Sequence, residues 1–501
     1  TADVTGFSAD RFIHGLKAEA ATLKVTATSD LLQIKGDMKI AGTPAIVDFR
    51  RARGEPDAEV RIQTTLDDAA RDRMALDEND FIDGSMPVKI VGRVKMAERE
   101  GRLAIEADLT HAKVTELLPG WSKPAGKPAR LTFTLVDKGT TTKLEDFVLE
   151  GYGASVRGSV EVNNNFDVLH ASFPSFALSD GDKASLRVDR TNDGVLKVVM
   201  RGDLYDGRGF IKNTVSGEKP DKKSKSSTDL DLDVKVGAIT GHHGEALRGI
   251  ELRLTRRNGQ IRTLTMNGKI GSTARVSASL RPRGNGRQVI VLESSDAGAL
   301  FRFTDTYARV FGGNVSIAMD APTSDGTAQE GLINVHDFAV RGEPALESVA
   351  SSGSAPPSYD RAGRPRPSTS GGVSFSRMRV EFTRSPGRFT VRDGVVWGPS
   401  VGATMDGYLD YSRDEVRLRG TFVPAYALNN MFGRLPIVGL FLGGGSNEGL
   451  LGITYQVVGS PQRPVLQVNP MSAVAPGFLR KLFEFRGANE EQSLQMPDVT
   501  R

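Results

Sequence analysis

The sequence predicts a mostly β protein: an elongated, repeat-like antiparallel sheet with a few short capping helices. Three observations carry this. Apolar and polar residues alternate at period two in many places, Asn-Gly and Asp-Gly dipeptides sit between such stretches, and a pattern of strand, glycine and strand recurs. Successive side chains of a strand point to opposite faces, so each alternating run has one apolar and one polar face.

The first helical signal is Asp67 to Leu76, preceded by Thr65 as a cap, with Leu66, Ala70 and Met74 at fourfold spacing. Alternation then marks strands at Leu131, Phe133 and Leu135, with Thr132 and Thr134 between them, and at Leu230, Leu232, Val234 and Val236. Ile250, Leu252 and Leu254 form a third run, and Val416, Leu418 and Phe422 a fourth. Asp193-Gly194 separates LRVDR from VLKVVM, and Asn258-Gly259 separates ELRLTRR from QIRTLTM. Both dipeptides tolerate positive φ, which tight hairpins require, so meanders of hairpins are expected rather than βαβ units. A second helix is expected from Asp296 to Phe311, after Ser295, with Leu300, Phe303, Tyr307 and Phe311 on one stripe and Gly312-Gly313 as its stop. Segments 147–162, 264–280 and 394–411 share the recurring pattern, with Gly151, Gly268 and Gly398 at the turn. Units of that kind stack, each burying its apolar face beside the next.

Composition excludes more than it selects. Of 501 residues, 65 are Lys or Arg and 61 Asp or Glu, leaving a net charge of only +4. The aromatics, 7% of the chain, are scattered through the strands, and nucleic-acid binding is not expected without a basic face and stacking rings. With no cysteine there is neither disulfide nor thiol chemistry. None of the six histidines stands in an HExxH arrangement, and His242-His243 reads as a loop pair rather than a metal site. Asp229, Asp231 and Asp233 begin like a calcium loop, but Val234 occupies the required glycine position, so they read as a wet sheet face. GWSKPAGKP lacks phosphate-loop spacing, and there is no GxSxG elbow. No enzyme activity, cofactor or metal is expected.

Two polar stretches divide the chain. Residues 217–228 are charged and free of aliphatics, and residues 350–372 are rich in Pro, Gly and Ser. They delimit an N-terminal β-rich segment (1–216), a middle segment (229–349) with the helix at 296–311, and a C-terminal segment (373–486), followed by a disordered tail (487–501). Between Arg419 and Phe485 apolar residues, prolines and glycines alternate closely, and a strand ends at Pro424. The run Leu435 to Leu442 is too short for the about 20 apolar residues of a membrane span, yet long enough for a membrane interface. Residues 475–485 predict a helix with Phe478, Leu482 and Phe485 on one face and Arg480 and Lys481 available to lipid phosphates. Leu435, Ile437, Leu440, Phe441, Phe478, Leu482 and Phe485 are therefore expected to contact a membrane surface or an outer-membrane-bound partner, unless the helix simply plugs the end of the sheet.

The words GTFVPAYALNN, RLPIVGLFLGGG, NEGLLGITYQVVGSPQRPVLQVNP and MSAVAPGFLRKLF resemble the C-terminal region of the AsmA-like family, in its YhdP and TamB neighbourhood. LDDAARDRM (66–74), EADLTHAKVTELLPGWSKPAG (106–126) and SSDAGALFRFTDTYARVFGGNVSI (294–317) extend the resemblance over most of the chain. The resemblance implies a periplasmic β-structure in the cell envelope, anchored in the inner membrane by an N-terminal helix that this chain lacks, and a part in phospholipid traffic to the outer membrane. It also implies that the sheet curls into an open hydrophobic trough, with acyl chains where a β-sandwich would have its second sheet. Leu131, Phe133, Leu135, Ile250, Leu252, Leu254, Val416, Leu418 and Phe422 then become the expected groove lining. The alternatives left open are a TamB-like assembly factor for outer-membrane proteins or envelope polymers, and a structural scaffold with a dry two-sheet core.

Overall fold

The computed structural model describes residues 1–13, 16–74, 76, 81–95, 101–118, 120–165, 167–216, 228–283, 287–322, 328–344, 346–347, 350, 372–424, 453–461 and 463–469. The polar stretches at 217–228 and 350–372 fall almost wholly outside these residues. So do the apolar run at 435–442, the helix expected at 475–485 and the tail.

The N-terminal strands are β1 (Ala2–Ile13), β2 (Leu16–Ala27), β3 (Leu31–Ile40), β4 (Thr43–Ala52) and β5 (Asp57–Leu66). Helix α1 (Asp68–Arg73) and the short β6 (Ile82–Asp83) precede β7 (Met86–Lys95) and β8 (Gly101–Asp108). After β9 (Lys113–Leu118) and β10 (Trp121–Lys123) come β11 (Arg130–Asp137), β12 (Thr141–Gly151), β13 (Ala154–Asn163) and β14 (Val168–Ala177). Then follow β15 (Lys183–Arg190), β16 (Leu196–Asp206), α2 (Arg208–Ser216), β17 (Leu230–Thr240), β18 (Ala246–Arg257) and β19 (Gln260–Ile270). Next are β20 (Ala274–Arg283), β21 (Arg287–Ser294), α3 (Ala297–Phe303), β22 (Val310–Asp320) and β23 (Gln329–Val340). The series ends with β24 (Val373–Ser385), β25 (Arg388–Trp397), β26 (Val401–Asp410), β27 (Glu415–Pro424), β28 (Ile453–Ser460) and β29 (Arg463–Asn469).

Twenty-six of these strands form one elongated sheet, and β6, β9 and β10 form a separate small one. Pairing follows chain order, so the sheet grows hairpin by hairpin from an edge at β1 to an edge at β29. The Asn258-Gly259 turn forms as expected, with φ of 50° and 75° closing the two-residue loop between β18 and β19. Asp193-Gly194 lies instead within a five-residue connection, in which Gly194 N–H donates to the Thr191 carbonyl. One pair breaks the expected meander: β16 and β17 are parallel. A parallel neighbour needs a crossover back to the same end of the sheet, and α2 begins it.

Two helix expectations need correction. Helix α1 is capped by Asp67, whose carboxylate accepts from Ala70 N–H at 2.8 Å, and it covers only Asp68–Arg73, while Thr65 and Leu66 belong to β5. Helix α3 covers only Ala297–Phe303, because Asp296 caps it and the chain turns at Thr304. Val310–Asp320, including Phe311, Gly312 and Gly313, is a strand, and Tyr307 lies in the connection. The sequence stripe at 300–311 mixed a helical turn with the start of a strand. The recurring segments are hairpins as expected, but Gly268 lies inside β19 rather than at its turn. A Cβ there would come within 2.3 Å of Ile250 Cδ1, so this glycine makes room for a neighbour's side chain.

Candidate functional site

The register of the hairpins stacks the apolar faces into rows that run across the whole sheet. One row passes from Gly36 through Val47, Ile62, Ile90 and Ile105 to Phe133. Phe133 stacks on Phe147 across a bulge at 6.5 Å between ring centres, and Phe147 leads through Gly158 to Phe173, Leu186 and Met200. The row continues through Val234, Leu252, Met266, Ala278, Leu292, Ile317 and Ile333. It ends with Val380, Gly394, Met405, Gly420, Tyr455 and Val468. At about 4.8 Å per strand it extends for about 110 Å along the sheet. A second row lies two residues along each strand, with Leu135, Leu144 and Val160, and farther on Leu232, Leu254 and Leu264.

The opposite face is polar and laddered with charge. Arg130 reaches Glu106 at 2.8 Å, Arg201 reaches Asp233 at 2.8 Å and Lys235 reaches Glu251 at 3.2 Å. Asp231 pairs with Arg257 at 2.7 Å, so Asp231 and Asp233 form the wet sheet face expected of them. The asymmetry follows from the period of two in the strands and from antiparallel pairing in register, which puts like beside like.

Part of the apolar face is covered and part is not. Buried residues of α3 (Ala297, Ala299, Leu300, Phe301 and Phe303) join Ile211 of α2 and Leu247, Ile250 and Ile270 in one core cluster. Ala70 of α1 and Trp121 of the small sheet join Leu149, Val156 and Phe173 in another. Among the described residues no second large sheet packs on this face, so many side chains of the two rows remain partly exposed, including Met200, Leu232, Leu292, Ile317 and Ile333.

All nine residues expected to line a groove lie on this face, in two different environments. Leu131, Phe133, Leu135, Leu252, Leu254 and Leu418 are partly exposed on it. Ile250, Val416 and Phe422 are only 3%, 2% and 5% exposed, so they are core beneath it. Phe422 stacks on Tyr455 at 4.2 Å, and the Tyr455 hydroxyl donates to the Thr404 carbonyl at 2.7 Å. Burial pushes the Tyr455 phenol well above its usual range, which keeps it neutral. The residues expected to meet a membrane, Leu435, Ile437, Leu440, Phe441, Phe478, Leu482 and Phe485, lie outside the described residues.

Three features were not anticipated from the sequence. Lys123 is 1% exposed, and its ammonium donates to the carbonyls of Ala112, Pro124 and Lys127 at 2.7, 3.0 and 3.0 Å, tying together the turn around the small sheet. Burial lowers its pKa. Helix α2 crosses between distant strands: the Gly209 backbone abuts Gly120 before β10, while the Thr214 carbonyl accepts from Arg384 on β24. Third, His242 and His243 converge on Asp305 just after α3, at 3.9 and 2.6 Å. No group of three or more metal-binding side chains is found among the described residues.

The arrangement offers a long apolar surface on which apolar chains can lie. Comparison with known proteins finds no matching family model, no matching curated protein and no matching solved structure, so the resemblance of the C-terminal words rests on those words alone.

Proposed function

We propose that the chain is a non-enzymatic carrier or conduit for phospholipid, with acyl chains lying along the concave apolar face and headgroups at its margin. The observation that supports this is the apolar row, which passes from strand to strand across nearly the whole sheet and leaves many of its side chains partly exposed. A sheet built to carry a second sheet would hide that row. Each buried CH₂ of a tail gains about 0.8 kcal/mol, so tails are held without specific contacts. A row with no outstanding position lets them slide. Transport between inner and outer membrane, a periplasmic location and a membrane or outer-membrane-bound partner at the C-terminal end belong to the same proposal, and they rest on the resemblance.

The test is to purify the chain without detergent, extract it and analyse the extract by mass spectrometry, then offer it a fluorescent phospholipid. Co-purified diacyl lipid and uptake of the probe support the proposal. A lipid-free protein that takes up no probe would make the sheet a scaffold. Among the described residues β1 and β29 each pair with a single strand, which supports a second reading as an assembly factor, in which client strands add to an edge. Retention of an extended peptide in place of lipid would favour it.

A further inference from the structure

We infer that the margin of the concave face carrying Arg190, Arg256 and Arg384 binds the phosphate of a lipid headgroup, so that the groove prefers phosphate-bearing lipids to uncharged lipids with the same tails. The inference rests on the lipid-holding reading and deepens it by naming the side chains that would recognise the headgroup.

These three arginines share a place in the pattern. Arg190 lies two residues beyond Val188, Arg256 two beyond Leu254 and Arg384 two beyond Phe382, so alternation keeps each on the apolar face. Arg190 is opposite Leu196, Leu196 opposite Leu230 and Leu230 opposite Arg256, which puts Arg190 and Arg256 in the row next beyond the two apolar rows. Arg384 is opposite Gln329 and Phe389 at the same end of the strands. At such a position a long aliphatic stem can lie over apolar surface while its charged fork reaches toward water.

Their partners set them apart. Arg190 donates to the carbonyls of Val168 and Gly194 at 2.8 and 3.2 Å, and Arg256 donates twice to the Thr228 carbonyl, at 3.2 and 2.8 Å. Arg384 donates to Gln329 Oε1 at 2.8 Å and to the Thr214 carbonyl. All of these acceptors are neutral, and among the described residues none of the three arginines makes an ion pair. Arginines of the convex face do otherwise: Arg130, Arg157, Arg201 and Arg379 pair with Glu106, Glu150, Asp233 and Glu381. A partly buried guanidinium that lacks a counter-charge has lost hydration that neutral oxygens replace only in part, and burial lowers the pKa of Arg384 accordingly. A phosphodiester supplies the missing charge in the planar, two-pronged geometry that guanidinium matches. Arg190 and Arg256 are three strands apart, about 14 Å, which leaves room for separate headgroups.

The test compares the wild-type chain with the triple variant R190Q/R256Q/R384Q. Each is equilibrated with vesicles carrying either tail-labelled phosphatidylglycerol or the diacylglycerol with identical tails. The wild type should retain the phospholipid at least about tenfold better, the worth of one charge-assisted hydrogen bond. The glutamine variant should hold both lipids equally, and the triple lysine variant should keep part of the preference. Should the triple glutamine variant fail to fold, the single R256Q variant takes its place and should narrow the preference. Equal retention of both lipids by the wild type would overturn the headgroup assignment and leave the groove standing, whereas retention of neither would overturn the groove itself. A preference unchanged in the glutamine variants, or one abolished by millimolar inorganic phosphate, would also overturn it: the first makes the arginines structural, the second gives the site to the free anion.

Discussion

Ile250 and Leu252 are two residues apart on β18 and point to the same face, yet the open-groove reading gives them opposite fates. Ile250 is 3% exposed, packed among the buried residues around α3 and over Gly268, whereas Leu252 is partly exposed between Val234 and Met266. Ile250→Asp removes a side chain whose truncation alone costs about 2–5 kcal/mol. It also strands a carboxylate out of water with no partner, which adds several kcal/mol unless the group neutralises. Leu252→Asp forfeits only part of the about 1.5–3 kcal/mol that full burial of a leucine contributes, and water on the open side hydrates the new charge, so about 1–2 kcal/mol is expected. Thermal melting and limited proteolysis should show Ile250→Asp unfolded or strongly destabilised and Leu252→Asp close to the parent. Lipid retention by Leu252→Asp should nonetheless fall, since a charge stands where tails lie. Equal collapse of both variants would refute the reasoning, because Leu252 would then be sealed in a closed core.

Other consequences are sharp enough to measure. Gly420→Ala places a Cβ 1.8 Å from the Thr404 carbonyl oxygen and should cost about 1–3 kcal/mol by overpacking, while Gly101→Ala, with 3.6 Å to its nearest neighbour, should leave melting almost unchanged. Lys123→Met leaves three carbonyls without their shared donor and should destabilise by about 3 kcal/mol, read from the urea midpoint. Asp206 has its pKa held down chiefly by hydrogen bonds from the Arg208 side chain, against the opposing pull of burial. A lowered carboxylate pKa contributes stability above the unfolded value of about 4, and that contribution is lost as pH falls through the folded value. The melting temperature of the parent should therefore fall more steeply than that of Asp206→Asn as pH drops from about 5 to about 3, with parallel curves between about 6 and 9.

The β class and the one-faced strands were legible because period two is a local signal: the runs at 131–135, 230–236, 250–254 and 416–422 all lie in strands. Strand identity also carried the apolar face, since all nine of those residues lie on it. Depth did not follow. Ile250 and Leu252 share a face and a residue class, and only the distant α3, which packs near one and not the other, separates them. The helix ends were misread where a turn of helix and the following strand shared apolar spacing by chance, as from Leu300 to Phe311. The parallel step at β16 and β17 was hidden because the signal for a crossover is a contact between remote segments, here Thr214 with Arg384. Lys123 and the marginal arginines escaped for the same reason: nothing in a sequence says that a cation will find carbonyls rather than carboxylates.

The glycines of the concave face bear on how the surface works. Glycine stands at Gly36, Gly158, Gly394 and Gly420 in one row and at Gly92 and Gly331 in the next. None of these leaves a hole. The place a Cβ would take lies 3.1 Å from the Leu23 side chain at Gly36, 2.9 Å from Leu103 at Gly92 and 2.8 Å from Phe173 at Gly158. At Gly331 the Phe382 ring lies 2.2 Å away, and at Gly420 the Tyr455 hydroxyl 2.7 Å. Each bulky residue leans over its neighbour's glycine, so the face stays closely filled and even instead of alternating pits with ridges. An even apolar surface offers a sliding chain no deep well, because the area it buries changes little from one strand to the next. On such a surface discrimination between lipids cannot reside in the rows. Under the headgroup proposal it falls to the margin, where Arg190, Arg256 and Arg384 are charged and the acceptors around them are not.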